Sequence, residues 1–416
     1  MTRFTLGGNL WKHRDFSRLW FSETVSQFGN QFTQFALPVL AVLSFKASPF
    51  DMGLLGTFVF LPYPVLGLFV GVLADRLSKR KIMIICNLGR MVNLASIPTS
   101  FLLGDLSLYQ LFAVALINGV FSVFFDVSYQ AYLPVLISHD DLIEGNQKLQ
   151  MSVSGAQVAG PGIAGVVYQY IGGALTIAFD SIGYLVSAIS LITIRKREDR
   201  KASTENAEPK FFDEMKEGIH AVLRNPILVR IAGSTATSNL GTQVLFAVFT
   251  IYALDYLHFS PIELGLVGTI GAVGFVLGVL VSRKLTSRFG IGRILAFSIA
   301  SPVLWVLSPL ALYGFAFVIL SGIYFVQGIM LPMYNINAVS LRQAITPDAL
   351  QGRVNATNRT IVWGTIPIGS FVGGILGGAI GVVNTLYFGG AVAGLAVLWI
   401  LLGPVWQLKV IPKVPS

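Results

Sequence analysis

Charge is what this chain has least of. Only 12% of its 416 residues are Asp, Glu, Lys or Arg, where a soluble globular domain carries roughly a quarter. Hydrophobic residues make up 54%, more apolar surface than a water-soluble fold of this length hides. Cysteine occurs once, at Cys86, so no internal disulfide is available, and a packing role is expected for it. The four histidines, His13, His139, His220 and His258, are scattered over loops and span ends and offer no structural metal site. Also missing are Gly-x-x-x-x-Gly-Lys-Ser/Thr, His-Glu-x-x-His and Gly-x-Ser-x-Gly. Their absence argues against a P-loop ATP pump, an intramembrane metalloenzyme and a serine hydrolase. Neither an enzyme nor a cofactor is expected.

What the chain does have is a succession of apolar runs. A bilayer core of about 30 Å needs roughly 20 apolar residues per helix. Such runs fall at 17–44, 50–74, 82–103, 106–133, 148–170 and 172–194, then at 226–254, 262–282, 294–313, 315–340, 353–378 and 381–407. One long polar interval separates the two sets, from Arg195 to Arg224. The reading is an all-α membrane protein with twelve transmembrane helices in two pseudo-symmetric six-helix bundles, residues 1–195 and 226–416, joined by a cytoplasmic linker at 196–225.

The basic balance, +9 with a pI near 9.6, is a matter of placement. With the N-terminus cytoplasmic, all but two of the 29 Lys and Arg fall in cytoplasmic loops, tails or span ends, the exceptions being Lys46 and Arg90. That asymmetry orients a membrane protein and needs no nucleic-acid partner. Lys12, Arg14 and Arg18 precede span 1 without a small-residue cleavage site, which reads as an uncleaved signal anchor. Both termini are expected in the cytoplasm of a multi-pass inner-membrane protein acting as a monomer.

The halves repeat. Ser26-Gln27-Phe28-Gly29-Asn30-Gln31 matches Ser238-Asn239-Leu240-Gly241-Thr242-Gln243 at an offset of 212, and Gly71 to Arg76 matches Gly278 to Arg283 at 207. Ile137 to Leu142 matches Ile345 to Leu350 at 208, while Gly160 and Gly165 match Gly369 and Gly374 at 209. Each copy holds an even number of spans, so both have the same orientation. Carriers built this way bind substrate near the midplane and rock one half against the other. No ring of charged residues suggests a channel.

Between spans 2 and 3 stands Gly71-Val72-Leu73-Ala74-Asp75-Arg76-Leu77-Ser78-Lys79-Arg80-Lys81. It resembles the loop signature Gly-x-Leu-Ala-Asp-Arg-x-Gly-Arg-Lys of the major facilitator superfamily, with Ser78 in place of Gly and the basic pair in the other order. Span 5 carries Gly160-Pro161-Gly162-Ile163-Ala164-Gly165, similar to the exporter motif Gly-Pro-x-x-Gly-Gly. Asp126 to Pro134, Lys216 to Ile219 and Arg224-Asn225-Pro226 are similar to segments of macrolide-efflux-type drug:proton antiporters. The resemblance covers nearly the whole chain. It implies export of hydrophobic, drug- or macrolide-like molecules, coupled to protons or to Na⁺. It further implies a conformational latch at Gly71, Asp75, Arg76 and Arg80, where plain positive-inside anchoring is the other reading. At Gly160, Pro161 and Gly165 it implies an exporter-type helix motif, where ordinary close helix packing is the other reading. Two departures bear on the coupling: Asn30 and Asn87 stand where related antiporters often have Asp. Export of an endogenous metabolite, siderophore or lipid is the second reading, uptake the third.

Ionisable groups inside a bilayer are costly, which makes Glu23, Arg90, Asp126 and Arg359 functional candidates. At 1.5 Å per residue, Arg90 lies about 13 Å and Asp126 about 12 Å deep on consecutive helices. A buried network of Arg90 with Asp126 or Glu23 is therefore expected, either as a structural pair or as a coupling pair in which one desolvated carboxylate takes a proton. Glu23, Gln27, Asn30 and Gln34 share a face of span 1, joined by Gln31; span 7 repeats the pattern with Asn239, Thr242 and Gln243. With Phe246, Asn358 and Trp363 these are the candidate substrate-cavity residues, an apolar wall with scattered hydrogen-bonding groups suited to bulky amphipathic molecules. After the linker, Phe211, Phe212, Met215, Ile219, Val222 and Leu223 form the apolar face of an amphipathic helix expected at the cytoplasmic bilayer surface.

Overall fold

The computed structural model describes residues 9–196, 211–410 and 412; for residues 9, 68, 71–76, 139, 211–215 and 348–349 the description is of the backbone alone. Among the described residues there is helix and no strand. Helices begin where the side-chain chemistry allows. Ser78 accepts the Lys81 N–H ahead of α4 (Lys79–Leu103), and Ser107 does the same for α5 (Leu108–Leu136). Asn225 with Pro226 opens α9 (Pro226–Ile251), and Ser260 with Glu263 forms a capping box on α10 (Pro261–Phe289).

The remaining helices of the first half are α1 (Arg14–Phe45), α2 (Pro49–Phe60), α3 (Pro62–Arg76), α6 (Leu142–Ile171) and α7 (Gly173–Ile192). After α8 (Phe211–Arg224), the second half has α11 (Ile291–Ala300), α12 (Ala316–Ile345), α13 (Asp348–Ala379), α14 (Val382–Leu395) and α15 (Val397–Leu401). Among the described residues, ten helices are long and apolar enough to cross a bilayer. The twelve-span reading adds α1 and α6, which reach the length at 32 and 30 residues while carrying more polar side chains.

By packing, the chain falls into two units: Met1–Phe45 with Leu61–Glu205, and Lys46–Phe60 with Asn206–Ser416. In the first, α1 lies along α7 and α6, α4 against α7 and α5, and α3 against α5. In the second, α9 lies along α14 and α13, residues 301–313 against α14 and α12, and α10 against α12. Each of these pairings in one unit has its counterpart in the other, so the sequence repeat is also a repeat of packing. Gly172 and Gly381, offset like the matched span-5 and span-11 glycines, take φ of 81° and 86° at the start of the last long helix of each unit.

Span 2 is divided. The chain breaks at Leu61, between α2 and Pro62, with Pro64 following. Within the second unit α2 packs on α13: a Cβ on Gly53 would lie 2.5 Å from the Gly374 Cα, and the Thr57 hydroxyl donates to the Pro367 carbonyl at 3.2 Å. The domain boundary at 195 stays a proposal; by packing, residues 46–60 side with the second unit.

Two spans depart from α geometry. α9 runs into a π-helical turn at Tyr252–Tyr256, and α11 continues as a 3-10 helix over Ser301–Tyr313. Pro302 and Pro309 each remove a backbone donor from that stretch.

Candidate functional site

The first unit holds a set of charged and phenolic groups with little access to water. Glu23 on α1 is 4% exposed and accepts the Gln27 amide N–H at 2.6 Å, one helical turn on; its other oxygen has no partner. Arg90 on α4 is 5% exposed. One guanidinium nitrogen donates to the Phe121 carbonyl at 3.1 Å, and its carbon sits 4.6 Å from the Phe125 ring centre and 5.0 Å from that of Tyr184. Those ring faces are favourable surroundings for a cation that cannot reach water. Asp126 on α5 accepts the Tyr63 hydroxyl at 3.0 Å, from α3. Glu23, Arg90 and Asp126 interact electrostatically with one another. The depth matching of Arg90 and Asp126 thus brings together two residues that the fold also brings together. Tyr63 and Tyr184 complete the set, and a neutral phenol in an apolar run gives the sequence no charge to mark it.

A second polar chain runs beside it. Asn87 on α4 donates to the Ser187 hydroxyl at 2.7 Å, and Ser187 shares a 2.6 Å hydrogen bond with Ser22 on α1. Asp180 on α7 is fully buried; Thr33 donates to one of its oxygens and the other is unpartnered. The close approach is made by Gly29, where a Cβ would lie 2.5 Å from the Asp180 Oδ1.

The candidate cavity residues divide by unit. On α1, Gln27 is engaged with Glu23, Asn30 and Gln31 are partly exposed and Gln34 is exposed. Gln31 lies directly on Gly160 of α6, which has no side chain to obstruct it. On α9, Asn239 donates to the Val362 carbonyl at 3.4 Å, Thr242 and Gln243 are partly exposed and Phe246 is exposed. Gln243 lies on Gly369 of α13 as Gln31 lies on Gly160. Asn358 and Trp363 are partly exposed on α13, and Arg359 is exposed there. Phe32 packs on Phe179 and Phe35 on Tyr168 within the first unit. Phe246 meets Phe249, Trp305 and Tyr324 in the second.

Of the latch residues, the side chains of Gly71, Asp75 and Arg76 lie outside the described residues. Arg80 donates to the carbonyls of Leu191 and Ile192 at 2.9 and 2.6 Å, closing the C-terminal end of α7. In the exporter-type segment, Gly160 and Gly165 are buried and Pro161 sits inside α6. The amphipathic helix forms as α8. Gly218 approaches Arg353 and Thr357 of α13, and Glu217 pairs with Arg353 at 2.8 Å, while Ile219 and Leu223 remain exposed. The side chains of Phe211, Phe212 and Met215, and linker residues 197–210, lie outside the described residues.

Repeated helical units, buried charge and polar helix faces define a multi-pass membrane carrier. The model of the Major Facilitator Superfamily matches residues 19–307 and 231–414, and the chain belongs to that family. It is a transporter and not an enzyme. Macrolide efflux protein A of Streptococcus pyogenes is 24% identical over 392 residues, covering 90% of this chain and 92% of that protein. Multidrug efflux pump Tap of Mycolicibacterium fortuitum is 25% identical over 376 residues, covering 86% and 88%. The crystal structure of a bacterial homologue of the iron transporter ferroportin superposes with a TM-score of 0.75 at 16% identity, covering 93% and 98% of the two chains. That likeness is one of fold.

Proposed function

We propose that this carrier exports hydrophobic or amphipathic small molecules of drug or macrolide type by proton antiport with alternating access. The likeness to macrolide efflux protein A along most of both chains supports the export direction. The observation that carries the coupling is Glu23: a buried carboxylate with Gln27 on one oxygen and nothing on the other. It lies within electrostatic reach of Asp126 and Arg90, so the charge of the cluster changes when one carboxylate gains a proton. The polar faces of α1 and α9, with Phe246, Asn358 and Trp363, each offer an amphipathic substrate apolar contact and hydrogen-bonding groups. The protein acts as a monomer in the inner membrane with both termini in the cytoplasm, and Gly71, Asp75, Arg76 and Arg80, around the turn from α3 to α4, serve as its latch.

Accumulation of a fluorescent macrolide is to be followed in cells with and without the protein, under imposed pH and Na⁺ gradients. Lower accumulation with the protein, abolished when the pH gradient is collapsed, is the expected result. A response to Na⁺ alone would replace the proton as the coupling ion. Unchanged accumulation across a broad drug panel would sink the drug reading and leave an exporter of an endogenous molecule.

A further inference from the structure

Several cations at the span ends of the first unit are engaged by their own bundle. Arg18 pairs with Asp15 and Lys148 with Glu144, each at 2.8 Å, while Arg80 and Lys196 donate to carbonyls at the ends of α7 and α5. The turn from α10 to α11 in the second unit is different. Lys284, Arg288, Arg293 and Lys409 are exposed, and among the described residues none of their side chains forms a hydrogen bond or an ion pair. The sequence offers them little countercharge: between Leu264 and Ser416 its one acidic residue is Asp348. Like charges gathered at one place repel, and an anion from outside relieves them.

The backbone does the gathering. α11 follows Gly290, which has no side chain to cap it, and the segment after α15 takes its first N–H groups instead. Gly292 donates to the Leu408 carbonyl at 2.9 Å and Ile291 to that of Lys409 at 3.4 Å. Lys409 thus lies against Gly290, where a Cβ would come within 3.2 Å of its Cα. Arg288 stands just before that glycine and Arg293 just after it, with Lys284 one turn back from Arg288 on the same face of α10. Val405, at the start of the segment, is fully buried and anchors it in the core. Aromatic side chains border the cations. Phe297, one turn beyond Arg293, is 63% exposed and meets Trp406 edge to face at 6.5 Å. The Arg288 guanidinium lies 5.5 Å from the centre of the half-exposed Phe289 ring.

We propose that this patch binds the headgroup of an anionic phospholipid. Arg288, Arg293 and Lys409 hold the phosphate, Lys284 adds to the field, and an acyl chain runs over Phe297 and Trp406. The placement favours a lipid over other anions. The cations sit where two spans end, beside aromatic rings of the kind found at headgroup level, and basic pockets at such span ends suit anionic lipids. Guanidinium groups match phosphate oxygens with paired hydrogen bonds. Through Lys409 the lipid also fastens the segment that caps α11, so its binding stabilises the second unit. The site is independent of the cargo and of the coupling ion.

The test is native mass spectrometry of the full chain in detergent, with phosphatidylglycerol and phosphatidylcholine of the same acyl chains as probes. The unaltered protein is expected to hold phosphatidylglycerol about tenfold more tightly. Arg293→Gln combined with Lys409→Gln should reduce that preference about fivefold, while Arg14→Gln combined with Lys81→Gln, two exposed cations of the first unit, should change it less than about twofold. Lys409→Gln alone alters a single exposed side chain and is the second variant, expected to lose about twofold to threefold should the pair fail to fold. Phosphatidylglycerol should also raise the melting temperature of the unaltered protein more than that of the Arg293/Lys409 pair. Equal retention of the two lipids by the unaltered protein would overturn the site. So would equal losses from both pairs of substitutions, which would make the attraction one of charge spread over the whole rim.

Discussion

Gly29 and Gly241 hold the same place in the two units, on the helix that packs against the last long helix of its own bundle, yet they face different things. Gly29 faces the carboxylate of Asp180 on α7; Gly241 faces backbone, that of Gly389 and Ala393 on α14. With the offset that relates Gly172 to Gly381, Asp180 corresponds to Gly389. One duplicated crossing has thus become a polar interior in the first unit and a dry, close helix contact in the second. The difference extends along both bundles. Among the described residues, the first buries Glu23, Arg90 and Asp180, whereas the buried polar residues of the second are Ser, Thr and Asn, beside the rings of Phe246, Phe249, Trp305 and Tyr324. Duplication kept the packing scheme and let the chemistry of the interiors diverge.

The sharpest way to break this contrast is Glu23→Gln. If the first unit carries the coupling, uptake of a fluorescent macrolide into inverted vesicles should lose its response to an imposed pH gradient, by tenfold or more on the order of a general acid–base contribution. Asp126→Asn that leaves the pH response intact would confine the role to Glu23. Next come the glycines. Gly241→Ala meets backbone on α14 and should cost about 1–3 kcal/mol, read as a lower melting temperature in detergent. Gly29→Ala should cost a similar amount, but Asp180→Gly, which makes the first unit resemble the second, should relieve most of it. If no rescue follows, the two crossings are not equivalent.

A smaller effect is expected for Tyr63→Phe, which removes the hydroxyl that donates to Asp126 Oδ2 and should cost about 1 kcal/mol. It should displace the pH profile of transport without abolishing it. The smallest concerns Asp15, ahead of span 1. Burial pushes its carboxyl up, but the N–H groups of Arg195 and Lys196 and the Arg18 side chain outweigh this and hold it below 3.8. Because the folded value is depressed, the stabilisation is complete above the unfolded value and fades as pH falls through the folded one. The melting-temperature gap between wild type and Asp15→Asn should therefore be present at pH 7 and narrow below about pH 4.

The span boundaries and the repeat were legible because hydropathy and glycine placement act locally. Arg90 and Asp126 could be paired because helical rise converts sequence position into depth. Tyr63 escaped because a phenol carries no charge to mark it. Trp305 escaped for a geometric reason: a 3-10 helix turns about 120° per residue, so α-helical spacing assigns the wrong face. Nothing in the residues flanking Asp180 reveals the closeness of Gly29, which lies about 150 positions away in sequence. For α8 the apolar face was readable, but the pairing of Glu217 with Arg353 depends on residues more than a hundred positions apart.

The division of span 2 has a consequence for how the chain is made. Thr57 on α2 reaches Pro367 on α13 across 310 residues of sequence. At a synthesis rate of about 5–20 residues per second, the helix at 49–60 waits on the order of tens of seconds for its partner to emerge. Throughout that interval Gly53 and Gly56 present a bare seam to the lipid. Fragments covering the first half alone leave that seam open, so the two halves expressed as separate chains should accumulate only when they are produced together.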